Sequence, residues 1–186
     1  MATTASLFYV IAQITGIGGT AWLSGNIACC SLLAVPALSQ SHQDDSVPVR
    51  ALVTQWARLY DKGATQNPPI SVGIASILSF LAWTADATVW SLGLASPRQL
   101  YITSVALTVA IVPWTLLIMK RTNGALHEKA KKAKLSSAAA AKGVEVWTAV
   151  DDEEVLALLR SWTTLNGLRS MLPMLGFATG MLAALL

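Results

Sequence analysis

The chain has 186 residues and a formal net charge of +3, with 54% hydrophobic and only 12% charged residues, and a mean hydropathy of +0.54. An ordinary soluble domain is about 25% charged, so half that share argues against water as the solvent and for lipid. The excess of 13 Lys+Arg over 10 Asp+Glu is too small to argue for a nucleic-acid partner.

Four apolar segments follow in chain order, at about residues 7–38, 70–94, 100–119 and 152–186, the last entering the membrane near Leu168. Each is long enough to cross the hydrocarbon layer, which takes roughly 20 mostly apolar residues. Backbone polar groups in lipid must be satisfied internally. The expected fold is therefore all-α: a single integral-membrane domain built as a four-helix bundle. The first segment lacks a basic start and is longer than a signal-peptide core of about 7–15 residues, so it is expected to be an uncleaved membrane helix. Its GIGGT stretch (Gly16–Thr20) lets a neighbouring helix approach closely. Cys29 and Cys30, adjacent and pointing in different directions, are expected to be reduced packing residues.

Between the first two segments, VRALVTQWARLYDKG puts Val49, Leu52, Val53, Trp56, Leu59 and Tyr60 on one face. This predicts an additional amphipathic helix over about 48–62, lying at the interface or roofing the bundle, with Gly63 placed to stop it. Asn67–Pro69 then leads into the second segment. That segment contains Asp86, a carboxylate costing about 2.5–3.5 kcal/mol at a helix centre, which should have a partner or line water. Residues of about 129–150 read as a variable, basic and alanine-rich loop, solvated and without chemistry. The acids at Asp151–Glu154 suit the first turn of the last helix, and Gly176–Gly180 has GxxxG spacing. Packing within the chain is the simpler use of that spacing, and a homo-oligomer stays open.

Lys and Arg placement sets orientation. Twelve of the 13 basic residues lie in or beside the two long connecting segments, and Arg98 alone lies on the other side. Both termini are expected to face the lumen or exterior and both long loops the cytosol, in the endoplasmic reticulum or another endomembrane.

The polar residues then converge. WTTLNGLRSMLP carries Trp162, Asn166 and Arg169 at steps of four and three, one face of a helix. Thr115, Met119 and Asn123 form a stripe on the third segment. Thr15, Gly19, Trp22, Asn26 and Cys30 form one on the first. Three helices thus present polar stripes at one end of the bundle, with Trp56 and Tyr60 available as a lid, the usual character of a small-molecule pocket. Both histidines, His42 and His127, are expected in loops, and no HExxH, HxxH or CxxC pattern points to a metal. An enzyme built on this chain would work without a bound cofactor.

Three stretches, WARLYDKG (Trp56–Gly63), PWTLLIMKRTN with Leu126 following (Pro113–Leu126), and WTTLNGLRSMLP (Trp162–Pro173), resemble the anthrone oxygenase family, small four-helix membrane proteins of fungal polyketide pathways. The resemblance implies a membrane-bound, cofactor-independent oxygenase of secondary metabolism. It would convert a polyketide anthrone, a hydrophobic polycycle, to an anthraquinone with dioxygen. In that reading Arg169, Asn123 and Asn166 stabilise an oxyanion, and His127 or Asp86 is the base. Trp162, Asn26, Trp56, Tyr60, Trp22, Thr115 and Met119 would contact substrate. Two alternatives remain at this stage: a cofactor-free cyclase or isomerase working through an enolate, and a non-catalytic scaffold for pathway enzymes.

Overall fold

A computed structural model describes residues 4–85, 95–140 and 146–186, and among these every regular element is helical. Helix α1 (Thr4–Cys29) passes through a π-helical turn (Cys30–Ala34) into α2 (Val35–Asp45). Ser46 ends α2 in a left-handed conformation (φ 57°), and His42 Nδ1 lies 2.7 Å from the carbonyl of Val47. After this turn α3 spans Val49–Thr84. Then come α4 (Pro97–Val109), the short α5 (Ile111–Pro113), a second π turn (Trp114–Ile118), α6 (Lys120–Ala140) and α7 (Ala149–Leu185). Among the described residues, three stretches are long and apolar enough to cross a membrane: Leu7–Asp45, Pro97–Ile118 and Ala149–Leu185. The expected span at 70–94 lies partly outside the described residues.

Several expectations are revised. Gly63 does not stop the amphipathic segment, because α3 continues through Gly63, Pro68 and Pro69 to Thr84. Prolines inside a helix remove two N–H donors. Here Pro68 and Pro69 are exposed, and buried apolar residues run on both sides of them, from Leu52, Val53 and Trp56 to Ile74, Leu78 and Leu81. Packing on one line therefore overrides the local break. Both histidines lie in helices, His42 in α2 and His127 in α6. The basic, alanine-rich stretch is helical to Ala140, and Ala130, Ala133 and Ser136 are buried along one face. Asp86, expected to have a partner or line water, lies outside the described residues.

The chain divides into two compact units. The first comprises the chain through Asn26, Gln66–Trp114 and Arg169–Leu186. Its helices touch through small residues. A Cβ on Gly19 would lie 2.8 Å from Ile74 Cγ1, and one on Gly180 would lie 3.3 Å from both Ile17 Cγ1 and Ser104 Oγ. Small hydroxyls donate across helices to backbone carbonyls: Ser24 to Ser170 at 2.8 Å, Ser71 to Thr108 at 3.0 Å, Ser104 to Gly176 at 2.6 Å. Lipid tails provide no hydrophobic drive between helices, so close packing and such bonds carry association in a membrane. The outward face is apolar, with Phe8, Ile14, Val72 and Trp83 exposed.

The second unit comprises Ile27–Thr65 and Thr115–Leu168. Here α6 and α7 are tied by charge. Lys129 and Lys132 donate to Asp151 at 2.8 and 2.7 Å, and Lys129 also pairs with Glu154. The Thr148 N–H donates to Asp151 Oδ2 at 2.9 Å, which caps α7, and Trp147 Nε1 donates to Asp152 at 2.7 Å. The two lysines, with Thr148 adding, hold the Asp151 carboxyl well below the usual carboxylate range.

Two outcomes follow for thermal unfolding in detergent. Gly19→Ala destabilises by about 1–3 kcal/mol through overpacking, whereas Gly18→Ala, where the added carbon meets nothing within 4 Å, is neutral or slightly stabilising. Asp151→Asn destabilises by about 2 kcal/mol. Because Asp151 has a lowered pKa in the folded chain, this difference is full above its unfolded value, about pH 4, and shrinks as the pH falls below it.

Candidate active site

In the second unit, three helices each contribute polar or aromatic side chains four residues apart: Trp56 and Tyr60 from α3, Asn123 and His127 from α6, Trp162 and Asn166 from α7. Residues at i and i+4 share a helix face, so each pair points the same way. Trp56, fully buried, is the hub. Its ring stacks on Tyr60 with centroids 5.3 Å apart, and it meets His127 at 5.2 Å and Trp162 at 5.7 Å edge to face. Tyr60 and His127 also meet edge to face at 5.0 Å.

A chain of hydrogen bonds runs along the edge of this cluster. Trp162 Nε1 donates to Asn123 Oδ1 at 3.0 Å, and Asn123 Nδ2 donates to Tyr60 Oη at 3.2 Å. The orientation of this carboxamide follows from chemistry, since an indole nitrogen can only donate and must therefore face the amide oxygen. Asn123 is 6% exposed and Trp162 3%, so both bonds are largely shielded from water.

Tyr60 and Asn123 open onto a cleft of about 300 Å³, whose remaining walls are Thr115, Leu116 and Lys120. A larger cleft of about 370 Å³ lies in the first unit among Ser79, Ala82, Trp83, Arg98, Ile102 and Val105. The smaller one is the better candidate because a hydroxyl, a carboxamide and an amine converge on it. Pockets with a few placed polar groups in an apolar setting are the usual small-molecule sites.

His127 stands behind Tyr60. Its side chain is about a third exposed, and its Nε2 is 3.9 Å from Asp61 Oδ1, an ion pair only when the imidazole is protonated. Asn166 is a structural pin. Its Nδ2 donates to the Ile27 carbonyl at 3.0 Å and to Ser31 Oγ at 2.8 Å, which ties α7 to the first π turn. Among the described residues its Oδ1 and the Nε1 of Trp56 are buried with no hydrogen-bond partner.

The sequence-predicted residues thus fall into two groups. The second unit brings together Trp56, Tyr60, Asn123, His127 and Trp162, with Thr115 on the cleft wall and Met119 fully buried in the core. Asn26, Trp22 and Arg169 belong to the first unit. There Asn26 donates to Asn67 Oδ1 at 2.8 Å, Trp22 is half exposed, and Arg169 is half-buried with its Nε withdrawn from the surface. Lys120 and Leu116 were missed. The regular stripe Thr115–Met119–Asn123 predicts Met119 on the wall. The π turn at Trp114–Ile118 inserts an extra residue into the helical phase, which brings Leu116 and Lys120 to the cleft and turns Met119 inward.

The profile of the anthrone oxygenase family matches residues 56–179. The chain is 33% identical over 173 residues to the anthrone oxygenase encC of Aspergillus fumigatus, covering 93% of this chain and 92% of that protein. It is 31% identical to an anthrone oxygenase of Claviceps purpurea, covering 92% and 85% of the two chains. Identity to a noranthrone monooxygenase of Aspergillus flavus is 27%, over 92% and 70%. No solved structure is similar to the chain. A match spanning the aromatic cluster, the cleft and most of α7, with 33% identity over nearly the full length to a protein of that name, places the chain in the anthrone oxygenase family, as an enzyme of that type.

Proposed function

We propose that this enzyme oxidises a polyketide anthrone to an anthraquinone with dioxygen, without a bound cofactor, while embedded in a membrane through four spans. The observation that carries the reading is the cleft where Tyr60, Asn123 and Lys120 converge beside an aromatic cluster containing an imidazole. The names of the relatives supply the substrate class.

The chemistry needs little beyond placement. An anthrone carries a methylene between two aromatic rings, vinylogous to its ketone, and loss of one proton gives an electron-rich aromatic anthranolate. That anion passes one electron to dioxygen, and recombination of the radical with superoxide forms a carbon–oxygen bond. Protonation gives a hydroperoxide. Loss of the second methylene proton, with cleavage of the oxygen–oxygen bond, then leaves a ketone and water. One oxygen atom ends in the product and the other in water. Cofactor independence rests on this reactivity of the substrate itself.

His127 is proposed as the proton acceptor, since imidazole is the commonest general base, and Asp61, 3.9 Å from its Nε2, steadies the imidazolium. Tyr60 and Lys120 face the developing oxyanion, where preorganised donors are worth several kcal/mol. Arg169 is the oxyanion donor expected from sequence, and Arg169→Ala, assayed in the same membranes, tests that role. The exposed Leu116, Leu117 and Ile118 of the second π turn support lateral entry of an apolar polycycle from the bilayer. The Lys and Arg asymmetry supports lumenal termini and cytosolic loops in an endomembrane.

Microsomes from a host without anthrones are fed emodin anthrone, and anthraquinone formation and oxygen uptake are followed against empty membranes, which carry the spontaneous rate. One dioxygen is consumed per anthraquinone, and exhaustive chelation leaves the rate unchanged. His127→Ala lowers kcat by about 10²–10⁴-fold, with recovery on adding imidazole. Rates equal to those of empty membranes defeat the oxygenase reading.

A further inference from the structure

We infer that Trp162 is a positioning residue: its indole N–H, acting through Asn123, turns the Tyr60 hydroxyl into a fixed donor toward the oxyanion of the bound substrate. The inference rests on the proposed oxygenation and assigns roles within its site. Sequence places Trp162 as a wall of the pocket, but it is 3% exposed and lies outside the cleft lining. Its polar atom is spent on Asn123.

Hydrogen-bond direction decides what Asn123 offers its neighbours. A carboxamide can face its neighbours either way round, and the choice decides what it offers Tyr60. With the donor-only indole on one side at 3.0 Å, Asn123 must present its oxygen there and its NH₂ to Tyr60 at 3.2 Å. Tyr60 Oη then accepts, and its own proton is directed elsewhere than toward Asn123. Without the indole N–H the amide can flip, present its oxygen to Tyr60 and draw that proton away. The phenol lines the cleft with Lys120. A substrate oxygen seated there receives the phenolic proton as a hydrogen bond when the methylene is deprotonated. Stacking on Trp56 at 5.3 Å holds the ring. No proton transfer from Tyr60 is needed, only a donor in place before charge develops.

Four variants decide it: Trp162→Phe, which keeps an aromatic ring and loses the N–H; Tyr60→Phe; the double variant; and Asn123→Asp, whose acceptor-only carboxylate captures the tyrosine proton. Thermal unfolding identifies any that fail to fold. Trp162→Phe and Asn123→Asp then each lower kcat as Tyr60→Phe does, about tenfold to hundredfold, the loss of one hydrogen bond to a charged group, with KM changed by less than about twofold. The double variant is no slower than Tyr60→Phe alone. Losses that multiply in the double variant, or a rise in KM with kcat intact after Trp162→Phe, overturn the inference. Affinity for the anthraquinone product, read from quenching of tryptophan fluorescence, separates failure of this inference from failure of the oxygenase reading. Were the wild-type membranes to show no turnover above empty ones, equal weakening of product binding by Trp162→Phe and Tyr60→Phe would still support the relay, and unequal weakening would refute it.

Discussion

The candidate site depends on one carboxamide held between an indole and a phenol. Asn123 joins α6 to α7 through Trp162 and to α3 through Tyr60, so one side chain of four polar valences sets the relation of three helices. Burying an amide without partners costs about 1–3 kcal/mol in proteins, and here both ends are used. The aromatic rings exclude water from the two bonds, which strengthens them as it raises the cost of losing either one. Position and chemistry are thus determined by the same contacts.

The first unit solves a different problem. Its outer surface is apolar, so burying more apolar surface among its helices yields little if lipid surrounds it. Its helices instead approach at Gly16, Gly19, Gly176 and Gly180 and are joined by serine hydroxyls on carbonyls of neighbouring helices. These bonds are short-range and need close backbones, which is why small residues and hydroxyls occur together. The second unit relies on side-chain interactions of another kind, large aromatic rings and an ion-paired carboxylate.

Asp151 shows how an apparently featureless charged segment acquires a task. It closes the first turn of α7 through Thr148 and accepts Lys129 and Lys132 from α6. A single acid therefore satisfies helix-end donors and pairs with two lysines, with almost no exposure of its own side chain. The alanines that directly follow those lysines are the small residues that let α6 lie close, with Ala130 and Ala133 buried.

Much of the candidate site was legible in the sequence because a helix repeats its direction every three to four residues. Trp56 with Tyr60, and Trp162 with Asn166, could be paired from spacing alone, and the low charge content identified apolar helices. The amino-acid order by itself thus determined an all-α fold class and the i, i+4 pairs that carry Trp56, Tyr60 and Trp162. Three things awaited the tertiary structure. Continuous packing carried α3 through Gly63, Pro68 and Pro69, which local propensity reads as a stop. The π turn at Trp114–Ile118 altered the phase of the next helix, so Lys120 replaced Met119 on the wall. His127, read as a loop residue, came to rest on Trp56 and Tyr60 because Asn123 and Leu126 are buried in the same helix. Spacing specifies which side chains share a face only while the helical period holds, and contacts between segments distant in sequence decide where it changes.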